Sequence, residues 1–241
     1  MKAIILAAGR GTRISRHLSG NPKCTVDIGG TTLIRYTIKL LQENGITDIA
    51  IILGYRSEVI IKELEDFNIT YFYNPFFDAT NSIASMWFAK EFLSDDDFLI
   101  MNGDVYIEKP ILQIIESEKK EFLLLSDETR ITEADYKLKY NDGILEKYGK
   151  ELSEDDTTGE YVGIAIIRKE AIPKFSKELD SLINKQKHNL WWENILYELS
   201  NEIKIYVRDV EKNFWAEVDY IEDFDRIISH RSNMNDSENA K

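Results

Sequence analysis

The amino-acid sequence predicts an α/β protein with a mixed, mainly parallel central sheet flanked by helices. Short apolar runs alternate with amphipathic segments of helical length in the first half, and a hairpin pattern follows in the second half. Strands that alternate with helices form parallel sheets with right-handed crossovers, whereas a hairpin adds antiparallel strands. With 241 residues, of which 43% are hydrophobic, the chain is long enough to bury a sizeable core.

Four buried strands are predicted in the first half, at residues 2–7, 48–53, 69–73 and 97–101. Each is a short run dominated by Ile, Leu, Ala, Phe or Tyr, which is typical of a strand covered on both faces. Helices are predicted between these strands, at residues 31–45, 57–67 and 81–93. Their first turns begin at Thr, Ser57 and Asn81, whose side chains can accept hydrogen bonds from the free N–H groups of a helix start.

The second half predicts a hairpin at residues 136–149, because two strand-like runs flank an Asn-Asp-Gly turn. Further strands are expected at residues 160–168, 203–210 and 213–219, and helices at residues 169–186, 190–201 and 221–230. No linker separates the halves, so we expect a single domain over residues 1–231. Residues 232–241 lack an apolar anchor, and we expect them to form a disordered tail.

Composition excludes several classes of function. The net charge of -13 argues against a nucleic-acid partner, because phosphate backbones require an excess of Lys and Arg. A single cysteine and three histidines give no disulfide framework and no zinc-ligand spacing. No segment reaches the roughly 20 apolar residues of a membrane span. We therefore expect a cytoplasmic protein without membrane insertion.

One basic stretch stands out in this acidic chain, because residues 6–24 carry Arg10, Arg13, Arg16 and Lys23 among three glycines. A glycine-rich turn after the first strand lies at the carboxyl end of the sheet, where backbone N–H groups can contact phosphate oxygens. The run "GRGTR" matches neither the dinucleotide-binding pattern nor the P-loop. Taken alone, it indicates either an anion site or a tight turn with solvated arginines.

Longer motifs carry a resemblance to a known family. The segments "MKAIILAAGRGTR", "PKC", "GGTTLIRYTIKLL", "GITDIAIILGY", "NGDVY", "GEYVGIAII" and "FWAEVDYIEDFDR" together resemble the nucleoside-diphosphate-sugar pyrophosphorylase type of nucleotidyltransferase. The resemblance spans about residues 1–230 and is greatest to the short cytidylyltransferases that act on phosphocholine or 2-aminoethylphosphonate. It implies a Rossmann-like nucleotidyltransferase fold.

The resemblance also implies a catalytic set made of Lys23, Arg13, Asp104 and Asp219. Asp104 and Asp219 would bind Mg²⁺, which prefers one or two carboxylates together with phosphate oxygens. Lys23 would reach the phosphates at the reacting centre, and Arg13 would contact the β- and γ-phosphates that leave as pyrophosphate. For Arg10 and Arg16, a surface position and a site position remain equally open.

The nucleoside is expected over the first strand end and its neighbours. The expected nucleotide-binding residues are Leu6, Ala7, Ala8, Gly9, Gly11, Thr12, Arg13, Gly54, Tyr55, Asn81 and Ser82. Asn81 can also act as a helix cap, and that role does not exclude the other. CTP is expected from the subgroup, although the residues could accommodate another pyrimidine nucleoside triphosphate.

Aromatic and acidic residues in the second half indicate the acceptor, because aromatic faces bind quaternary ammonium groups. The acceptor candidates are Tyr106, Asp127, Lys150, Glu160, Tyr161, Trp191, Trp192, Trp215 and Glu217, with Phe214 and Glu193 as further members. Lys150 is assigned to the acceptor phosphate by analogy with relatives, and Glu217 to the surroundings of the metal. Ordinary core packing remains the alternative for each aromatic residue.

The expected reaction joins CTP to phosphocholine or a similar small amino-alcohol phosphate or phosphonate and releases pyrophosphate. A first alternative is a sugar-1-phosphate uridylyl- or thymidylyltransferase. The run "ISRHLSGN" departs from the "RLxPLT"-like run of sugar-activating relatives, which weakens that alternative. A second alternative is a nucleotide-binding regulatory domain without turnover. The joint presence of Lys23, Asp104 and Asp219 argues against it.

Overall fold

A computed structural model describes residues 1–11, 18–94 and 96–239, the last five of these by their backbone only. The strands are β1 Lys2–Ala7, β2 Ile49–Leu53, β3 Thr70–Tyr73, β4 Phe98–Asn102, β5 Val105–Ile107, β6 Phe122–Asp127, β7 Lys137–Asn141, β8 Ile144–Gly149, β9 Gly159–Ile167, β10 Tyr206–Asp209 and β11 Trp215–Glu217. The helices are α1 Leu33–Glu43, α2 Ser57–Glu63, α3 Ser82–Phe88, α4 Lys109–Ser117, α5 Ile172–Asn184, α6 Asn194–Leu199 and α7 Ile221–Asn239.

The central sheet has nine strands in the order β3-β2-β1-β4-β9-β6-β10-β8-β7. Strands β3, β2, β1 and β4 are parallel, as the alternation of strands and helices predicts. Strand β9 runs antiparallel between β4 and β6, and β7 and β8 form the predicted hairpin. The sheet is therefore mixed, and strands of both halves of the chain belong to it.

Both faces of the sheet are covered because its central strands are apolar along their whole length. All five residues of β2 and all nine of β9 are buried. Helices α1, α2 and α4 pack on one face, through residues such as Ile38, Ile60 and Ile111. Helices α3, α5 and α6 pack on the other face, through residues such as Met86 and Phe175. Burial on two sides fixes the strand ends and thus the loops that follow them.

A separate two-stranded ribbon joins β5 to β11 in antiparallel register, with Glu217 opposite Val105. Tyr106, Ala216, Val218 and Ile227 form a third small core that holds α7 against this ribbon. The ribbon brings a segment that follows β4 beside a segment about one hundred residues later in the chain. This pairing positions the carboxylates described below.

Three local predictions differ from the structure. No element was predicted over residues 103–135, where β5, α4 and β6 lie. Helix α6 begins at Asn194 and not at residue 190, because the N–H of Trp192 donates to Ser82 Oγ. Helix α7 extends to Asn239, so the tail prediction is wrong for residues 232–239. No Pro or Gly interrupts this helix after its start.

Within the described parts of the chain, no helix combines the length and the apolar character that crossing a membrane requires.

Candidate active site

A cavity of about 520 Å³ opens beside the carboxyl ends of β1 and β4. Strand β9 begins there because it runs antiparallel to β4, so that its first residues stand at the same edge of the sheet. The lining comes from the loops after β1 and β4, the start of α3, the hairpin region and the segment before α6. Open sheets of this kind bind ligands at such an edge.

At one end of the cavity, the Lys23 ammonium contacts two carboxylates. Its Nζ lies 3.1 Å from Oδ2 of Asp104 and also donates to Oδ1 of Asp219. Lys23 begins a short 3₁₀ turn after Pro22, Asp104 follows β4, and Asp219 follows β11. Three distant segments of sequence therefore meet in one charged cluster, as the resemblance implies for these three residues.

The β5–β11 ribbon explains why the two aspartates converge. The N–H of Val218 donates to the carbonyl of Asp104 at 2.9 Å, which fixes the two loops side by side. Asp223, in the first turn of α7, accepts hydrogen bonds from the N–H groups of Asp219 and Tyr220. The backbone on both sides of the carboxylate pair is thus held by hydrogen bonds.

The charges in this cluster do not balance. Burial raises the pKa of Glu217 well above its usual range, and the nearby carboxylates of Asp104 and Asp219 raise it further. Burial alone would lower the pKa of Lys23, but the same two aspartates outweigh it and raise the pKa. The raised pKa of Lys23 shows that negative charge outweighs the effect of burial at this end of the cavity.

This charge excess fits a divalent cation. Asp104 and Asp219 present carboxylate oxygens to one point, which Lys23 contacts in the free protein. In the described part of the chain, no three or more His, Cys, Asp or Glu residues form a cluster that could by itself hold a metal ion. Two carboxylates suit Mg²⁺, which takes its remaining ligands from phosphates and water.

The glycine-rich turn lies directly above Lys23. Gly11 has a φ of +58°, and a Cβ built there would lie 2.3 Å from Cγ of Lys23. A side chain at position 11 would therefore collide with the Lys23 stem. Gly9 has open space where its Cβ would stand. Thr12, Arg13 and Arg16, which the sequence placed in or near the nucleotide site, lie outside the described residues.

Most other predicted nucleotide residues border the cavity. Leu6, Ala7, Ala8, Gly9 and Gly11 line it along the end of β1.

Asn81 and Ser82 line the cavity at the start of α3. Asn81 Oδ1 caps this helix by accepting from the N–H of Ser82, so the structural role considered for Asn81 is present.

Arg10 lines the cavity as well, but its guanidinium is exposed and pairs with Asp78 at 2.6 Å.

Gly54 and Tyr55, predicted to contact the nucleotide, do not line the cavity. They lie behind the loop: the N–H of Tyr55 donates to the carbonyl of Ala8 at 3.0 Å, and a Cβ at Gly54 would lie 2.6 Å from that oxygen. The hydroxyl of Tyr55 donates to the carbonyl of Gly20. These two residues support the turn without facing the cavity.

The other end of the cavity is aromatic. The Tyr136 ring stands edge-on to Tyr161 and Trp191, with centroids 6.4 Å and 5.6 Å apart. It also stacks on Tyr197 at 5.7 Å. All four rings line the cavity, and Trp191 is 41% exposed. We call Tyr136, Tyr161, Trp191 and Tyr197 the aromatic pocket.

Glu193 stands beside the aromatic pocket, and its side chain is buried. Asn102 Nδ2 donates to its carboxylate at 3.5 Å. Burial raises the pKa of Glu193 to about 7, and the charge of Asp104 adds to this rise. Among the residues that the structure describes, no cation pairs with Glu193. A buried carboxylate without a cation is a favourable place for a positively charged ligand.

Comparison with known proteins places these features in a family. Residues 3–121 match the family described as MobA-like NTP transferase domain. Residues 3–121 therefore form a nucleotidyltransferase domain of this family. Choline-phosphate cytidylyltransferase of Streptococcus pneumoniae is 28% identical, over 98% of this chain and 100% of that protein. CTP:phosphoglutamine cytidylyltransferase of Campylobacter jejuni is 26% identical, over 93% and 98% of the two chains.

A solved structure shows the same fold over nearly the whole chain. CTP:phosphocholine cytidylyltransferase from Streptococcus pneumoniae superposes with a TM-score of 0.78 at 24% identity, over 95% of this chain and 97% of that one. This confirms the predicted Rossmann-like nucleotidyltransferase fold with a mixed sheet and flanking helices.

Several acceptor residues predicted for this nucleotidyltransferase do not line the cavity, and the structure gives each of them a packing or hydrogen-bonding role instead. Tyr106 stacks on Tyr36 and packs edge-on against Phe214 in the third core, because it occupies the outward side of the ribbon. Trp192 is fully buried, and its Nε1 donates to Asn102. Trp215 Nε1 donates to Asp127. These two side chains, both predicted to contact the acceptor, therefore form a buried hydrogen bond with each other.

Lys150 and Glu160 line the cavity of this nucleotidyltransferase but already have partners. Lys150 pairs with Asp135 at 2.7 Å, and its ammonium lies 5.4 Å from the ring centroid of Trp191. Glu160 accepts hydrogen bonds from Arg130 and from the N–H of Asp135. Glu217 lines the cavity together with Asp104 and Asp219, and its place near a metal ion stays a prediction.

Sequence reasoning missed three residues of this nucleotidyltransferase site. Tyr136 and Tyr197 belong to the aromatic pocket, and Asn102 contacts Glu193. A signal for Asn102 was present, because it precedes Gly103 and Asp104 at the end of a buried strand. Tyr136 and Tyr197 stand in segments whose pattern indicates a hairpin and an amphipathic helix, so their shared position depends on the tertiary fold.

Proposed function

We propose that this chain is a magnesium-dependent cytidylyltransferase. It joins CTP to phosphocholine or a similar small amino-alcohol phosphate or phosphonate and releases pyrophosphate. One observation carries the proposal: a single cavity has a Lys-and-carboxylate cluster at one end and the aromatic pocket with Glu193 at the other. The first end suits the metal and the phosphates, and the second suits an ammonium group.

The comparisons support the nucleotide and the acceptor class. Two relatives that match nearly the full length of this chain carry cytidylyltransferase names, and their acceptors are choline phosphate and phosphoglutamine. The full-length match matters because the acceptor end of the cavity is built from residues beyond 121, where the family match ends.

The reaction forms a bond between an oxygen of the acceptor phosphate and the α-phosphorus of CTP. The bond from the α-phosphorus to the bridging oxygen of the β-phosphate breaks, and that oxygen keeps the electron pair as pyrophosphate leaves. Repulsion between the two anions opposes this step, so electrostatic stabilisation and positioning are the main contributions expected from the protein.

Each part of the cavity has a distinct task in this proposal. Asp104 and Asp219 would hold Mg²⁺, which when bound neutralises phosphate charge. Lys23 would stabilise the charge that develops on the phosphates. The backbone of the turn at Gly9 and Gly11 would approach the triphosphate, as the resemblance implies.

The aromatic pocket supports an acceptor with a cationic end. A cation over an aromatic face gains about 0.5 to 2 kcal/mol for each favourable contact. Trp191 already has the Lys150 ammonium near its face, so this ring accepts a cation in the free protein. Glu193 supplies a carboxyl group with no protein cation among the described residues, and an ammonium group beside it would lower its raised pKa and favour its charged form. A hexose would use neither property.

An end-point assay tests the proposal. The protein is incubated with Mg²⁺, with each of CTP, UTP, dTTP, ATP and GTP, and with phosphocholine, phosphoethanolamine, 2-aminoethylphosphonate or a hexose 1-phosphate. Pyrophosphate is quantified, and the nucleotide product is identified by mass spectrometry. We expect release with CTP and an amino-alcohol phosphate or phosphonate.

Other patterns of release would contradict the proposal. Turnover limited to UTP or dTTP with a hexose 1-phosphate would assign the chain to sugar activation. Nucleotide binding without pyrophosphate release in any pair would favour the regulatory domain.

A further inference from the structure

The position of Lys23 in the free protein needs an explanation. Its ammonium contacts both carboxylates that the proposed function assigns to Mg²⁺, at 3.1 Å from Asp104 and also at hydrogen-bond distance from Asp219. The proposed function requires the same ammonium near the phosphates. One side chain therefore has two roles that it cannot fill at the same place.

We propose that Lys23 is the counter-ion of Asp104 and Asp219 in the nucleotide-free protein and exchanges them for the triphosphate when metal-bound CTP enters. This inference rests on the metal site of the proposed function and does not depend on the identity of the acceptor. Lys23 thus sets the metal affinity of the free protein in addition to its part in the reaction.

The charges of these groups explain why Lys23 leaves the carboxylates for the phosphates when the metal arrives with CTP. Lys23 and the two aspartates are each at least three-quarters buried, so water screens their interaction only in part. An ammonium and a divalent cation repel each other and cannot share the same carboxylate oxygens. A metal ion that arrives alone must displace Lys23 and leave it without a partner. A metal ion that arrives with CTP brings the anion that receives the ammonium.

Gly11 leaves room for the Lys23 side chain to lie against the two aspartates, so it is a positioning residue for the proposed exchange. The Lys23 stem passes under the turn, where a Cβ on residue 11 would lie 2.3 Å from Cγ and 2.9 Å from Cδ. The turn that is expected to contact the triphosphate therefore rests on the side chain that must move. Entry of the nucleotide and release of the ammonium are mechanically linked.

The consequence is an order of binding. The free protein binds metal weakly because Lys23 competes, and it binds the metal–nucleotide complex well because Lys23 then contacts phosphate. Without Lys23, the carboxylates would attract the metal even in the absence of nucleotide.

Metal titration without turnover tests the inference. Mn²⁺ replaces Mg²⁺ as the probe, free Mn²⁺ is counted by electron paramagnetic resonance, and no acceptor is present. The wild type is compared with Lys23→Met, which keeps the stem and removes the charge. Lys147→Met is the matched control, because it breaks a surface pair with Asp156 at 2.9 Å, outside the cavity.

In the absence of CTP, Lys23→Met should bind Mn²⁺ roughly tenfold or more tightly than the wild type, because the variant lacks the positive charge that competes with the metal for the Asp104 and Asp219 carboxylates. In the presence of CTP, the variant should bind Mn²⁺ no better than the wild type. Lys147→Met should match the wild type under both conditions.

A second variant displaces the aliphatic part of the Lys23 side chain. Gly11→Ala pushes Lys23 away from the aspartates and should tighten nucleotide-free Mn²⁺ binding in the same direction. Gly9→Ala has open space for its Cβ and should leave nucleotide-free Mn²⁺ binding unchanged. Circular dichroism confirms that each variant is folded before titration.

Equal or weaker Mn²⁺ binding by folded Lys23→Met without CTP would overturn the inference. Absence of Mn²⁺ binding by every form, with and without CTP, would overturn it as well, together with the metal site. Tight Mn²⁺ binding by Lys23→Met, together with no pyrophosphate release by the wild type from any substrate pair, would uphold the inference and refute the proposed function, so the two failures are distinguishable.

Discussion

The indole Nε1 of Trp192 donates a hydrogen bond of 3.0 Å to Oδ1 of Asn102, and this contact links the buried helix layer to the wall of the cavity. Asn102 uses its amide nitrogen to donate to Glu193, one residue beyond Trp192. Trp192, predicted as a ligand contact, therefore lies behind Asn102, which lines the cavity. It orients the amide that faces the carboxylate.

Trp192→Phe should lower the free energy of unfolding by about 2 kcal/mol, because it removes a buried hydrogen bond and part of a large side chain. Loss of the hydrogen bond from Trp192 frees the Asn102 side chain to move. This movement should raise the KM for the acceptor while the KM for CTP stays unchanged. Urea unfolding and steady-state pyrophosphate kinetics measure both. An equal rise of both KM values would contradict the link to Glu193.

Asp104→Asn should lower kcat by a factor of at least about 100, because it removes one of the two carboxylates that would hold Mg²⁺ at the phosphates. Saturating substrate should not restore the rate. Asp156→Asn, at an exposed surface ion pair, is the control and should retain wild-type kinetics. Undiminished turnover by Asp104→Asn would refute its assignment to the reacting centre.

Trp191→Ala should raise the KM for an ammonium-bearing acceptor about tenfold, which corresponds to the loss of a favourable cation–π contact and of apolar contact area. Trp87 provides a matched control, because both indoles are 41% exposed and only Trp191 lines the cavity. Initial rates at varied acceptor concentration give the comparison. A similar rise in Trp87→Ala would show a general effect of losing a surface tryptophan.

Glu193 predicts a pH dependence of stability. Its pKa is raised from 4.5 to about 7 in the folded protein, chiefly by burial, so the folded state binds an extra proton between these values. The stability that the neutral form contributes is fully present below about pH 4.5 and is lost as the pH rises through about 7.

Glu193→Gln should therefore match the wild type near pH 5 and exceed it by about 2 kcal/mol near pH 8 in the absence of ligands. Urea unfolding across this range measures the difference, and Glu170→Gln on the surface should follow the wild type throughout. Parallel curves for wild type and Glu193→Gln would show that the carboxylate is not buried in this way. With an ammonium acceptor bound, the wild type should regain the lost stability.

The sequence predicted the parallel half of the sheet well, because strands β1 to β4 are continuous apolar runs separated by helices with clear caps. Thr32 and Asn81 cap α1 and α3 through their side chains, as the residue types indicate. Lys23, Asp104 and Asp219 were found through motif resemblance, and the structure brings all three into contact. The spacing of apolar residues and the capping residues identify strands and helices, whereas only a motif links residues that lie far apart in sequence.

The acceptor end could not be predicted in the same way. Trp191 and Trp192 are adjacent and identical in type, yet one borders the cavity and the other is fully buried. Their difference depends on the hydrogen bond from the Trp192 N–H to Ser82, over one hundred residues away. Tyr136 and Tyr197 meet only because the hairpin and α6 pack together. Composition supplies candidate aromatic residues, and tertiary contacts decide which of them border a ligand.

The β5–β11 ribbon has a consequence for synthesis of the chain on the ribosome. Strands β1 to β4 and the glycine-rich turn are complete once residue 104 has emerged, but the partner carboxylate at Asp219 arrives more than one hundred residues later. A nascent chain can therefore build its parallel half before Lys23 has both of its aspartates. Assembly of the charged cluster is therefore a late event in the synthesis of the chain.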